Sequence, residues 1–166
     1  MKLVSTVVAR RVVISSLSAL VVLAALPQIG FAQSNPYVGT WKLNLAKSKY
    51  SPGPPPKSAT LTYSVLGQRL RLNTEGIDAE GKSTTGEIMQ VNDGNAYPTT
   101  AIPGSDASAY RRVNASTVRF TRMLTGKVVQ TGTRVVSADG KTMTITTTGV
   151  NAKGQQINDV AVYDKQ

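Results

Sequence analysis

The sequence predicts an all-β fold, a single up-and-down antiparallel meander that closes into an 8–10-stranded barrel. From Trp41 onward, short runs rich in Val, Thr, Ile and Tyr alternate apolar and polar residues, which is typical of strands. Tight turns that contain Gly beside Asp, Asn or Lys separate these runs and permit only adjacent antiparallel pairing. No stretch after residue 32 repeats apolar residues at helical spacing for three turns. A barrel removes the free strand edges of an open sheet, so we favour it; a two-sheet sandwich is the alternative.

The alternating pattern predicts ten strands, at residues 39–45, 59–65, 69–75, 83–91, 95–101, 107–113, 117–124, 127–137, 141–150 and 155–164. Segment 47–57 interrupts the pattern with four prolines and three lysines, so it is neither a central strand nor a helix. We interpret this Pro-rich loop as a stiff connection across one end of the barrel. A docking peptide and a basic lid over an anionic ligand are the alternatives.

Residues 1–32 are predicted to be a cleavable signal peptide. The basic residues Lys2, Arg10 and Arg11 precede an apolar stretch at 12–26, and small residues follow it. A membrane anchor is less favoured because the apolar stretch is shorter than the roughly 20 residues that span a bilayer. The Arg10 and Arg11 pair leaves a twin-arginine signal as an alternative export route. We therefore expect residues 33–166 to form a single periplasmic or secreted barrel domain, present as a monomer.

The composition excludes much chemistry, because the chain contains no histidine and no cysteine. It therefore lacks the residues of most metal sites, of Ser-His and Cys-His catalytic pairs and of disulfides. Glu87 and Asp159 are the only acidic residues near the centres of predicted strands. We expect no enzyme activity, no metal and no cofactor.

The chain is basic after the predicted cleavage. Of 19 Lys and Arg residues, 16 remain beyond residue 32 against nine acidic residues, a net charge of +7. Such a charge favours contact with anionic envelope polymers or lipid head groups. Arg111, Arg112, Arg119 and Arg122 lie on two neighbouring predicted strands, and Arg119 with one of the first two is expected to form an outer patch. We do not expect nucleic acid as a partner, since no aromatic and basic residues alternate.

Alternation also predicts which side chains point inward. Leu61, Tyr63 and Val65 share one face of their strand, and Val118, Phe120 and Leu124 share another. The period of two places Arg122 in this second inner row. An arginine there either reaches water at the barrel rim, is turned outward by a bulge, or recognises an acidic ligand.

Two segments resemble the calycin superfamily. Residues 37–43, Tyr-Val-Gly-Thr-Trp-Lys-Leu, resemble the opening strand of lipocalins and of intracellular fatty-acid-binding proteins. Residues 133–141 and 160–165 resemble the last strands of the same barrels, and the whole region is similar to exported bacterial lipocalin-like proteins of unassigned function. For barrel closure, Gly39 allows a tight bend, Trp41 plugs the closed end, and Lys165 is the cation expected over the indole ring.

The resemblance also implies a ligand site. In fatty-acid-binding proteins, two arginines and a tyrosine on the last strands hold a carboxylate; Arg134 and Tyr163 match one arginine and the tyrosine, whereas Ala161 replaces the other arginine. A solvated strand arginine is the alternative for Arg134. Our candidate ligand-binding residues are Arg134, Tyr163, Tyr63 and Arg122.

These observations favour a lipocalin-like barrel that binds a small apolar or amphipathic ligand, with loops 47–57 and 99–108 near its mouth. The alternative is a basic envelope protein that contacts anionic polymers or lipids without a defined pocket.

Overall fold

The computed structural model describes residues 35–166, and the signal peptide predicted at residues 1–32 lies outside them. The described chain forms ten β-strands and one short 3-10 helix at Leu45–Lys47. The strands are β1 Gly39–Leu43, β2 Ser58–Leu66, β3 Arg69–Ile77, β4 Ser83–Gln90, β5 Asp93–Pro98, β6 Ala107–Arg112, β7 Thr117–Leu124, β8 Lys127–Val136, β9 Thr142–Val150 and β10 Gln156–Lys165. The all-β prediction is confirmed, and no helix within residues 35–166 is long and apolar enough to cross a membrane.

The strands form one antiparallel meander curled into a barrel-like sheet, in the order β4-β3-β2-β1-β10-β9-β8-β7-β6-β5. The predicted calycin-like fold is therefore confirmed. The first and last strands pair directly, with Trp41 opposite Lys165 and Leu43 opposite Tyr163. Closure differs from the expectation at one place, because β4 and β5 are the two ends of this sheet and do not pair with each other.

The strand β5 is the element whose position differs most from the prediction. It begins at Asp93 and ends at Pro98, whereas the sequence pattern placed it at 95–101. Asp93 and Gly94 were expected in a turn, but Asp93 pairs with Arg111 of β6, and Gly94 lies in the irregular register between Asp93 and Ala96. All six residues of β5 are exposed. Without a buried face, the sequence does not indicate which residues begin and end the strand.

The core lies on the concave side of the sheet and contains the predicted inner residues Leu61, Tyr63, Val118 and Phe120. Two side chains predicted to face inward are instead exposed, Val65 by 58% and Leu124 by 42%. Both lie at the ends of hairpin strands, beyond the part of the sheet that encloses the core. In β7 the register also shifts between Arg122 and Met123, so the alternation no longer holds at Leu124.

The Pro-rich loop runs along β10 after the short helix. Backbone hydrogen bonds join Lys49 to Val160 in both directions, and Asn158 N donates to Ser51 O at 3.0 Å. Ser51 N in turn donates to the Asp159 carboxylate at 3.0 Å. These hydrogen bonds hold the first part of the loop against β10.

Candidate ligand-binding site

A cavity of about 410 Å³ lies inside the curled sheet. Its volume is within the range of about 300–1,000 Å³ that is usual for small-molecule sites. The Pro-rich loop contributes Tyr50 and Pro56, and the loop between β5 and β6 contributes Ala101, Ile102 and Pro103. The remaining wall comes from eight strands: Leu61, Leu72, Thr74, Ile88, Tyr110, Arg122, Arg134, Ile145, Thr147, Asp159, Ala161 and Tyr163. Most of this wall is apolar, and the polar groups are concentrated in a few side chains.

Arg122 lines the cavity from β7, so it is neither turned outward by the bulge nor a rim residue reaching only into water. Its Nη1 donates to Gln130 Oε1 at 2.6 Å, and its guanidinium carbon lies 4.9 Å from the centre of the Phe120 ring. Gln130 is fixed in turn, because its Nε2 donates to Val150 O at 3.0 Å. Burial lowers the pKa of Arg122, since the surroundings disfavour its charged form.

Arg134 lines the same cavity from β8 and is only 4% exposed, so it is not a solvated strand arginine. Its Nη1 donates to Gln90 Oε1 at 2.8 Å, and its guanidinium carbon lies 5.3 Å from the centre of the Tyr63 ring and 5.8 Å from that of Tyr110. Gln90 Nε2 donates to Asn92 Oδ1 at 2.6 Å. Both arginines are therefore oriented by a glutamine that is itself held by a second hydrogen bond.

Neither arginine has a carboxylate partner within residues 35–166. The ion pairs in this part of the chain join Lys47 to Asp164, Arg71 to Glu87 and Lys153 to Glu80, all on the surface. Asp159 is the only acidic residue in the cavity wall, and its contact is with the backbone of Ser51. Two guanidinium groups thus line one cavity without a carboxylate in contact with either, and such charge is costly to bury unless an anion joins it.

Tyr63 and Tyr163 are neutral hydroxyl groups at ordinary pH. Burial raises the pKa of Tyr163, an effect that the nearby Arg134 and Arg122 reduce. Burial likewise raises the pKa of Tyr63, whose hydroxyl has no hydrogen-bond partner although the side chain is only 2% exposed. These hydroxyls are therefore hydrogen-bond donors beside the arginines rather than competing anions.

The structure brings three of the four predicted ligand-binding residues, Arg122, Arg134 and Tyr163, to the cavity wall. Tyr63 is not part of that wall and lies behind Arg134, with its ring against the guanidinium. Sequence reasoning missed Gln90, Gln130 and Ser108, which surround the arginines. The alternation of β4 places Gln90 two residues after the buried Ile88, which was the available signal for this inward amide.

The residues predicted to close the barrel lie together where β1 meets β10. Trp41 is fully buried, its Nε1 donates to Tyr37 O at 2.8 Å, and Lys165 Nζ lies 5.0 Å from the centre of its ring. Gly39 has a φ of +124°, and a Cβ at this position would lie 3.0 Å from Lys165 Cε. Tyr37 joins this region to β8 and the turn before β7, because its hydroxyl oxygen lies 2.8 Å from Ser116 O and 2.9 Å from Arg134 O and its single hydrogen is shared between these two carbonyls.

Comparison with solved structures finds a protein of similar fold. The chain is similar to the zebrafish ileal bile acid-binding protein crystallised with cholic acid, with a TM-score of 0.51 and 12% identity. The match covers 79% of this chain and 99% of the zebrafish protein. No protein-family model matches the chain, and no curated protein matches it in sequence. The likeness therefore concerns the fold, which is calycin-like.

Proposed function

We propose that this protein binds a small amphipathic anion inside its barrel. The observation that carries the proposal is the pair of arginines that face an apolar cavity of about 410 Å³ without a carboxylate partner among the described residues. Charge-assisted hydrogen bonds from guanidinium groups are among the strongest that a protein offers an anion. The apolar wall contributes through burial of the ligand's hydrocarbon part, at about 25 cal/mol per Å². The fold supports the proposal, since the similar zebrafish protein carries a bile acid.

The proposal assigns each group a part in binding. Arg122 and Arg134 hold the anionic group, and the neutral hydroxyl of Tyr163 supplies a further donor next to them. Leu61, Leu72 and Ile145 contact the apolar part of the ligand.

Binding of 1-anilinonaphthalene-8-sulfonate, an apolar sulfonate whose fluorescence rises on burial, tests this function. We expect the mature protein to bind the dye in the micromolar range and to release it when decanoate is added. The variant Arg134→Leu should weaken dye binding at least about tenfold. Its matched control is Arg119→Leu, which removes an exposed arginine from the outer face of β7 and should leave binding unchanged. Two results together would overturn the proposal. The protein would bind neither the dye nor alkyl anions, and native mass spectrometry would find no ligand on protein purified without detergent.

We also propose that the protein is exported, that its signal peptide is cleaved after residue 32, and that it acts in the periplasm or outside the cell. The support is the signal-peptide pattern of residues 1–32, with its basic start, apolar stretch and small residues before the cut. Intact-mass measurement of the protein recovered from the periplasm or medium should show a chain that begins at Gln33. Recovery of the full-length chain from the membrane fraction would contradict this.

A second candidate function is contact with anionic envelope polymers through the outer surface. Arg111 pairs directly with Arg119 across β6 and β7, and both side chains are exposed. Like charges opposite each other on one face disfavour the sheet, and an anionic partner would relieve their repulsion. Retention on heparin at low salt, lost at moderate salt and lost in the Arg111→Gln/Arg119→Gln variant, is expected if this surface binds polyanions. Absence of retention at low salt would exclude it.

A further inference from the structure

We propose that the ligand of this cavity is a hydroxylated monocarboxylate, a mainly apolar acid with a hydroxyl group away from its carboxylate, and that Asp159 and Tyr50 recognise this hydroxyl. The inference rests on the proposed function of the site and names its ligand class. It depends on the position of Asp159 in the wall, on the charge balance of the cavity and on the hydroxyl of Tyr50.

Asp159 is a polar member of an otherwise mostly apolar wall. It precedes the cavity residues Ala161 and Tyr163 by two and four positions in β10, so the three side chains share one face of the strand. Asp159 is partly buried, and its Oδ1 accepts a hydrogen bond from Ser51 N at 3.0 Å. No other group within residues 35–166 donates to this carboxylate. A carboxylate accepts up to about four hydrogen bonds, so Asp159 can take a further donor from inside the cavity.

The strand register separates Asp159 from the arginines. Asp159 pairs with Thr147, and Thr147 pairs with Gly132 of β8, two residues before Arg134. With strands about 4.8 Å apart and about 3.3 Å per residue, the Cα atoms of Asp159 and Arg134 lie roughly 12 Å apart along the sheet. None of the ion pairs of the described chain includes Asp159. A ligand whose anionic group is held by the arginines therefore meets Asp159 with another part of its structure.

The charge balance of the wall favours a ligand with one negative charge. Arg122 and Arg134 carry two formal positive charges and Asp159 one negative charge, which leaves a net charge of +1 in the wall. One carboxylate on the ligand cancels this charge if the rest of the ligand is neutral. An ammonium group beside Asp159 would restore the excess positive charge and would lose the hydration of a second ion. A neutral donor, a hydroxyl, therefore fits Asp159 better.

Tyr50 supplies a hydroxyl near the same carboxylate. It lines the cavity from the Pro-rich loop, one residue before Ser51, whose amide binds Asp159. Burial raises the pKa of Tyr50, and the nearby Tyr163 and Asp159 raise it further, so Tyr50 is a neutral hydrogen-bond donor. A ligand hydroxyl can donate to Asp159 and accept from Tyr50, whereas an ammonium group can only donate.

Isothermal titration calorimetry of the mature protein with three probes tests the proposal: decanoate, 10-hydroxydecanoate and 10-aminodecanoate. We expect 10-hydroxydecanoate to bind at least about threefold more tightly than decanoate, because a hydrogen bond to a charged partner outweighs the cost of burying the hydroxyl. The zwitterion 10-aminodecanoate should bind at least about tenfold more weakly than 10-hydroxydecanoate, since its own charges cancel and leave the site positive.

The variant Asp159→Asn separates recognition of the hydroxyl from the general attraction of anions. The asparagine keeps an oxygen for Ser51 N and removes a negative charge, so decanoate should bind at least as tightly as before. The preference for 10-hydroxydecanoate over decanoate should nevertheless fall at least about threefold. Tyr50→Phe, which removes one hydroxyl, should also reduce this preference. Glu75→Gln, which loses the same charge on an exposed position of β3, is the matched control and should leave the preference unchanged.

The results distinguish a failure of this inference from a failure of the proposed function. Equal affinities for decanoate and 10-hydroxydecanoate, or a preference that survives in Asp159→Asn, would overturn the hydroxyl site and leave the amphipathic anion site intact. Binding of 10-aminodecanoate as tight as that of 10-hydroxydecanoate would also overturn the inference, because it would indicate a zwitterionic ligand. No binding of either decanoate or 10-hydroxydecanoate would refute the proposed function itself.

Discussion

The two inward arginines line one cavity and have no carboxylate partner within residues 35–166. A glutamine that accepts a hydrogen bond orients a guanidinium group but leaves its charge in place. Arg122 with Gln130 and Arg134 with Gln90 repeat this arrangement, with the two arginines on the neighbouring strands β7 and β8. The folded protein without a bound anion therefore carries an electrostatic cost at these positions.

Replacement of one arginine should make this cost measurable. We expect Arg122→Met to raise the free energy of unfolding by about 1 kcal/mol or more, because it removes a buried cation and keeps an apolar chain of similar length. Anion binding should be lost in the same variant, so stability and binding change in opposite directions. Urea unfolding measures the first quantity. Arg119→Met, on the outer face, is the control and should shift the free energy of unfolding by no more than about 0.5 kcal/mol. A loss of stability in Arg122→Met would contradict the prediction, because it would show that the protein already compensates the charge of Arg122.

Gly39 carries a second prediction at this scale. Gly39→Ala should destabilise the fold by about 1–3 kcal/mol, because a side chain at φ +124° is strained and its Cβ would lie 3.0 Å from Lys165 Cε. Thermal unfolding of Gly39→Ala, Lys165→Ala and the double variant separates the two causes. The double variant should regain only the steric part; complete recovery would mean that the backbone at Gly39 is not strained.

At the scale of the strand, the alternation of apolar and polar residues and the turn sequences predicted the positions of the strands that have a buried face. The ten strands and their adjacent pairing follow from alternation and from turns with glycine, and the pairing of β1 with β10 follows from the resemblance of the two segments. The bounds of β5 were predicted wrongly because the strand is exposed along its whole length. Its sequence therefore has no alternation of buried and exposed residues from which the bounds could be read. For Arg122 the alternation predicted the row, but only the cavity shows that this row does not end at the rim.

The edge strand β5 should also be the least stable strand. It pairs only with β6, its register is irregular, and Pro98 has no amide hydrogen to donate. In native-state hydrogen exchange we expect its amides to open with a free energy at least about 2 kcal/mol smaller than those at the centre of β10, which is paired on both sides. Mass spectrometry of peptic fragments reports this difference. Equal protection of the two strands would indicate a partner on the free edge of β5.

At the scale of the whole molecule, the absence of histidine predicts a wide pH range of constant stability. The Asn44 amide and then Lys47 lower the pKa of Asp164, so its contribution is present above the unfolded pKa of about 4 and is lost as pH falls. Burial raises the pKa of Tyr37 to about 12. Its contribution is therefore complete below the unfolded pKa of about 10 and is lost as pH rises towards 12. The urea midpoint should be level from about pH 5 to 9 and fall on both sides; a transition near neutral pH would contradict this.

The missing ladder between β4 and β5 has a consequence for how this chain folds. In the present connectivity, β1 and β10 must find each other across nearly the whole domain before the sheet is continuous. Gln166 N donates to Thr40 O at 2.9 Å, so a short linker from residue 166 back to residue 35 suits a circular permutant that starts at Asp93 and ends at Gln90. Every paired strand would then follow its neighbour in sequence, the contact order would fall, and refolding should be faster than in the natural arrangement. The natural order of the strands thus delays assembly until the last strand has been made.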